Sequence, residues 1–212
     1  MKTALLALTI ASIAMPAMAQ RVPVPPMSAE EVKGVVEPAE LEVRLDGDFN
    51  GDGEIDTVFI ARGEDKRELT AMLAYRSEVD FGHQPVGVLQ LDAYPLGPAS
   101  LLIRNGVLMV KDLTGGTSAV ATTYRYRYDP KAEKMRLIGL DAKAYSRTNA
   151  HGWREVSWNL LTGDQVVSEA KLNTGGGGEA YAKPVVKKAK RPSRPIHMEN
   201  TPSPDDVFGG GN

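Results

Sequence analysis

Between residues 41 and 172 apolar side chains recur in short runs, most closed by Gly, Pro, Asn or Asp. This pattern predicts strands at 41–46, 55–62, 86–92, 101–104, 107–113, 119–128, 135–144, 153–161 and 165–172. The turns between them are written as Gly97-Pro98, Asn105-Gly106, Gly115-Gly116, Asp129-Pro130, residues 149–152 and Thr162-Gly163-Asp164. Residues 69–76 are ambiguous, helical by propensity and strand-like by context. The clearest register is Tyr124, Tyr126 and Tyr128 alternating with Arg125 and Arg127, which puts the rings on one face and the guanidinium groups on the other. Such a stripe serves either as an aromatic platform for sugar or peptide or as a half-buried strand covering the edge of a core, and the second reading is preferred.

Strand-like runs that follow one another without long helical stretches imply an all-β domain, an antiparallel meander forming a curved sheet, a sandwich or a small open barrel. Residues 41–172 suffice for one core. They are too few for a complete propeller, whose four to eight blades take roughly 40 residues each.

The flanks differ in character. Residues 1–19 combine Lys2, an apolar run from Ala4 to Met15, Pro16 and the small-residue site Ala17-Met18-Ala19, the layout of a secretory signal peptide. The apolar run is shorter than the ~20 residues that cross a bilayer, so no transmembrane segment is expected. Residues 20–40 form a Pro-rich arm in which Ser28 and Glu31 make a capping-box pattern for a short helix ahead of Pro38. Residues 173–212 open with a Gly run and carry Lys183, Lys187, Lys188, Lys190, Arg191 and Arg194, followed by Glu199, Asp205 and Asp206. This Gly-rich, basic tail is expected to be disordered, with residues 196–208 as a short docking segment within it.

Charge and cysteine content narrow the function. The net charge is −2 over the full chain, and removing residues 1–19 with Lys2 makes it −3, so a broad nucleic-acid footprint is excluded. With no Cys, an exported chain has neither disulfides nor a lipoprotein attachment cysteine, and a metal is the cross-link still open to it.

The loop between the first two strands supplies such a site. Asp48, Asn50 and Asp52 alternate, Gly53 follows, and Asp56 comes four residues after Asp52, giving D-x-N-x-D-G-x-x-D within residues 46–56. Oxygen ligands on alternate residues and a glycine at the tight bend suit calcium, a hard cation that takes six to eight oxygens. Asp48, Asn50 and Asp52 would give side-chain oxygens, Glu54 its backbone carbonyl, and Asp56 would close the shell directly or through water. An overlapping register, Asp46, Asp48 and Asn50 with Gly51, places Glu54 ninth and Thr57 twelfth; the later register is preferred. The same residues also make ordinary metal-free turns. Phe59 occupies the twelfth position, where an EF-hand carries Glu, so the loop is not an EF-hand. Residues 46–61 instead resemble the strand-loop-strand calcium loop of FG-GAP and VCBS repeats. Residues 123–141 and Ser157-Trp158-Asn159-Leu160-Leu161-Thr162-Gly163 resemble segments of small exported bacterial proteins with a similar loop, a resemblance that implies company but no activity.

No nucleophile or zinc motif is present, and Asp80 with His83 is the one acid/base pair that the sequence suggests. The expectation is therefore a periplasmic or secreted calcium-binding β protein, a binding or structural module for a protein or glycan of the cell envelope. One alternative is an envelope-associated hydrolase in which calcium is only structural. Another is a metal-free domain tethered by its basic tail to anionic polymers or lipid headgroups.

Overall fold

The computed structural model describes residues 21–175 and 178–209; the signal peptide expected at residues 1–19 lies outside them. A short helix, α1 (Ala29–Val36), precedes two antiparallel sheets. The first sheet is the meander β1 (Glu40–Gly47), β2 (Asp56–Arg62), β3 (Arg67–Arg76) and β4 (Phe81–Leu91). The second runs in chain order through β5 (Ser100–Arg104), β6 (Val107–Gly115), β7 (Ser118–Asp129), β8 (Lys134–Ser146), β9 (Trp153–Asn159), β10 (Asp164–Ala170) and β11 (Val185–Lys190). The protein is thus all-β, a sandwich-like pair of sheets with no closed barrel among the described residues.

One core joins the two sheets. Val58, Ile60, Leu69, Ala71 and Leu73 from the first meet Leu108, Val110, Tyr126, Leu137, Leu140 and Val156 from the second, all buried. Period two sets the inward faces, and the Asn105-Gly106 turn, with φ of 51° and 68°, is the mirror-image hairpin bend that its sequence specifies. Inside this apolar layer Arg67 is fully buried. Its Nε and Nη2 donate to Glu42 at 2.6 and 2.7 Å, and its Nη1 donates to both oxygens of Asp112 at 2.9 Å. One guanidinium therefore ties β1 and β3 of the first sheet to β6 of the second.

The capping box forms as expected: Ser28 Oγ accepts from Glu31 N at 3.2 Å, and Glu31 Oε2 accepts from Ser28 N at 2.6 Å. Val32 and Val36 of the helix bury, with Met27 of the arm, against Phe59 and Met72 on the outer face of the first sheet. Glu37, ahead of Pro38, leaves the helical region at ψ 139°, which ends the helix.

The tail corrects an expectation. In place of a disordered stretch, Val185–Lys190 pairs with β10, a two-residue strand β12 (Ile196–His197) pairs with β8, and a 3₁₀ turn (Met198–Asn200) leads to helix α2 (Pro204–Gly209). Met198 is fully buried beside β4, and Val207 is 2% exposed where α2 meets β8 and β9. The second sheet is wider than the first, and the expected docking segment docks on the protein's own core. Apolar burial outweighs a polar, Gly-rich composition here.

Candidate functional site

Residues 48–55 connect β1 to β2, and each side chain singled out in the sequence has a defined place. Gly51 and Gly53 stand at φ of 87° and 86°, a left-handed conformation that side chains resist, so the backbone coils tightly. Phe49 points inward and is fully buried, which anchors the loop to the core. The Asp48 carboxylate accepts from the backbone N–H of Asn50 at 3.1 Å, Gly51 at 2.6 Å and Gly53 at 2.9 Å. Asn50 Oδ1 accepts from Asp52 N at 3.1 Å, and its amide donates to Asp52 Oδ2 at 2.8 Å. Asp52 Oδ1 accepts from Glu54 N at 2.8 Å.

Asp56 differs from the others because it is fully buried. Its Oδ2 accepts from Phe49 N at 2.8 Å and its Oδ1 from Ala74 N, on β3, at 2.9 Å. Burial, then the charges of Asp52 and Asp48, push this carboxyl up to about 7 against the opposing pull of those two N–H groups. No Lys or Arg forms an ion pair with Asp48, Asp52 or Asp56 among the described residues.

Glu54 is turned the other way. Its carboxylate accepts from Val24 N, pairs with Arg21 at 2.5 Å and receives Arg76 Nε at 3.3 Å, so it fastens the N-terminal arm to the loop. This arrangement leaves the side chain out of the ligand set, in keeping with a role for its carbonyl alone. Asp46, the first residue of the alternative register, accepts from Thr57 Oγ1 at 2.8 Å and pairs with Arg44 at 3.0 Å, an engagement that favours the register beginning at Asp48.

Donor chemistry and arrangement give different answers for calcium. Asp48, Asn50, Asp52 and Asp56 offer only hard oxygens, and each retains lone pairs beyond the hydrogen bonds above. Among the described residues, however, no three acidic, imidazole or thiol groups stand close enough to hold an ion as arranged. The donor set suits calcium, and side-chain rotation within the loop is what binding would require.

Elsewhere the structure sorts the remaining candidates. Tyr124 and Tyr126 are 5% and 0% exposed with hydroxyl pKa values raised by burial, and Tyr128 is half-buried against the same core, so the stripe mainly lines the core, with Tyr124 also reaching the wall of a cleft. Asp80 and His83 are not paired: Asp80 accepts from Phe81 N at 2.8 Å, and His83 Nε2 lies 3.1 Å from the Ile55 carbonyl. A contact that sequence reasoning missed joins Ser118 Oγ and His151 Nε2 at 2.6 Å. A cleft of about 580 Å³ lies between the end of β4, the β6–β7 face and residues 201–206, with Asp112, Thr122 and Tyr124 among its walls.

No protein-family model matches the chain, and searches of curated proteins and of solved structures found no significant match. The likeness to FG-GAP and VCBS loops accordingly rests on the residues of the loop alone.

Proposed function

We propose that this is an exported, calcium-stabilised β-sandwich that serves as a binding or structural module of the cell envelope. The observation that carries the reading is Asp56, a fully buried carboxylate with no ion-pair partner among the described residues and with Asp48 and Asp52 close enough to raise its pKa. The other buried acids that the fold commits to ion pairs each have an arginine: Glu42 and Asp112 share Arg67, and Glu54 has Arg21 and Arg76. A divalent cation held by Asp48, Asn50, Asp52, Asp56 and the Glu54 carbonyl would supply the charge this loop lacks. The secretory leader in the sequence and the absence of Cys agree with a metal in place of disulfides. The cleft is of ligand size and supports the binding half of the proposal.

Extracellular calcium modules work at affinities of about 0.1–1 mM. At the tight end of that range and ~1 mM free ion, binding would stabilise the fold by about 1.4 kcal/mol. Melting of the wild type and Asp52→Ala in calcium and in chelator tests the assignment. Asp52 is exposed and its hydrogen bonds to Glu54 N and the Asn50 amide are local, so Asp52→Ala should lower the melting temperature clearly more in calcium than in chelator. Equal loss in both conditions would contradict a metal role.

A second surface favours an anionic partner. All six residues of β11 are exposed, among them Lys187, Lys188 and Lys190 on the free edge of the second sheet. Replacing these lysines with Gln should weaken salt-sensitive attachment to an anionic envelope polymer, and unchanged attachment would exclude this strand as the contact.

A further inference from the structure

The contact between Ser118 and His151 has the three parts of an activated nucleophile. Ser118 opens β7 directly after the Gly115-Gly116 turn, and His151 ends the turn between β8 and β9. Ser118 Oγ lies 2.6 Å from His151 Nε2, while His151 Nδ1 lies 2.6 Å from the carbonyl oxygen of Gly152. A carbonyl can only accept, so in the neutral imidazole Nδ1 carries the proton, Nε2 presents its lone pair, and the Ser118 hydroxyl donates to it. Nucleophile, base and a group that fixes the base's tautomer are thus joined in a row, the relationship by which a serine is made reactive.

Both turns are held in place by glycines with no room for a side chain. At Gly115, with φ of 94°, an added Cβ would lie 2.3 Å from the Ser118 carbonyl oxygen. At Gly152 it would lie 2.1 Å from the Ala170 carbonyl oxygen. The His151 turn is further tied by Ser146 Oγ, which accepts from Ala150 N at 2.8 Å, and by Tyr181, whose hydroxyl donates to Asn149 at 2.9 Å. The turn that carries Ser118 also has a cation at hand, since Arg147 N donates to the Thr117 carbonyl at 2.8 Å and its Nη1 reaches the Gly116 carbonyl at 3.4 Å.

His151 lines a groove of about 660 Å³ together with Trp153, Arg154, Glu169, Ala170 and Leu172, and Ser118 lies 2.6 Å from its imidazole. Trp153, Ala170 and Leu172 suit the hydrocarbon part of a small ester, Arg154, Glu169 and Lys171 make the rest of the wall charged, and the volume is in the range of small-molecule sites. We infer that Ser118 and His151 form a second functional site, a serine nucleophile and its general base acting on carboxylic esters that lie in this groove. Ser118 Oγ adds to the ester carbonyl carbon as its proton passes to His151 Nε2. The tetrahedral adduct expels the alcohol, which takes that proton. Water then adds to the acyl-serine while Nε2 accepts its proton, and collapse returns the proton to Ser118 Oγ and releases the carboxylic acid. This site does not depend on whether the loop at residues 48–56 takes calcium.

A fluorophosphonate probe tests the inference, with the labelled residue located by mass spectrometry in the purified protein. The expected result is one adduct on Ser118 in the folded protein and none on it in urea. In His151→Asn the rate should fall on the order of 10²-fold, the lower range for a general base. Hydrolysis of p-nitrophenyl acetate should fall in parallel in Ser118→Ala. The inference is overturned if Ser118 is unlabelled, if it reacts no faster than the other exposed serines, or if urea or His151→Asn leaves its rate unchanged. Folded against urea-treated wild type decides the matter even where a variant misfolds.

Discussion

Asp56 and Ala74 are joined by a hydrogen bond of 2.9 Å that crosses from the loop-facing end of β2 to β3, so the loop and the second hairpin share one buried carboxylate. The other oxygen of the same group holds Phe49 N at 2.8 Å. Asp56 therefore organises the fold around the loop before any ion is considered.

Asp56→Ala would leave two buried N–H donors without an acceptor. At about 1–3 kcal/mol for each unsatisfied group, the loss should be at least ~2 kcal/mol. Urea denaturation should show it in chelator as well as in calcium, in contrast to Asp52→Ala. A change under about 0.5 kcal/mol would mean that the carboxylate does not hold these amides.

The pH dependence has a definite sign. Burial, aided by Asp52 and Asp48, raises the Asp56 carboxyl from its ordinary 3.8 to about 7 in the folded protein. A group raised in this way contributes stability that is complete below its unfolded value and lost as pH climbs through the folded one. In chelator this contribution should disappear between about pH 4 and about pH 7. Calcium selects the ionised form, so the melting-temperature gain from calcium should grow between about pH 5 and about pH 8. Comparing the two melts at each pH cancels the acids common to both, and a gain independent of pH would contradict the assignment.

Arg67→Met should be among the most damaging single changes in the core. It would leave Glu42 and Asp112, whose side chains are each 5% exposed, without their shared cation. Breaking a buried pair from one side costs about 3–5 kcal/mol. For a domain of this size that is a fall of roughly 10 °C in melting temperature by differential scanning calorimetry. A fall of less than about 3 °C would show that the bridge between the sheets is dispensable.

The C-terminal segment is part of the same core. An added Cβ at Gly87 would lie 2.9 Å from Met198 Sδ, so the backbone of β4 opens at a glycine where the methionine enters. Met198→Ala should destabilise by about 2–5 kcal/mol. Protease resistance of residues 196–209 in the wild type, and its loss in this variant, would check the docking directly.

The strands were legible because their edges coincide with turn chemistry. Residues 69–76 were ambiguous for a physical reason: β3 is buried on both faces, with Leu69, Ala71 and Leu73 in the main core and Met72 beneath α1, so period two is lost. The start of β4 at Phe81 was missed because Pro85 argues against a strand, and the fold admits it on an edge strand beside the register shift at Ala71/Met72. In the tail, Ile196 with Met198 and Val207 with Phe208 are pairs too short to set a period that would signal their burial. The loop residues were readable as a local motif, whereas Arg67 with Asp112 is brought together only by packing of one sheet on the other, over 45 residues, and Ser118 with His151 only by the pairing of successive strands, over 33.

The most direct test of the central claim is calorimetric titration of calcium into chelator-treated protein, residues 20–212, with magnesium as the control ion. The account predicts one site of submillimolar affinity that discriminates against magnesium. No heat with calcium and no accompanying thermal shift would make the loop an ordinary turn and contradict it.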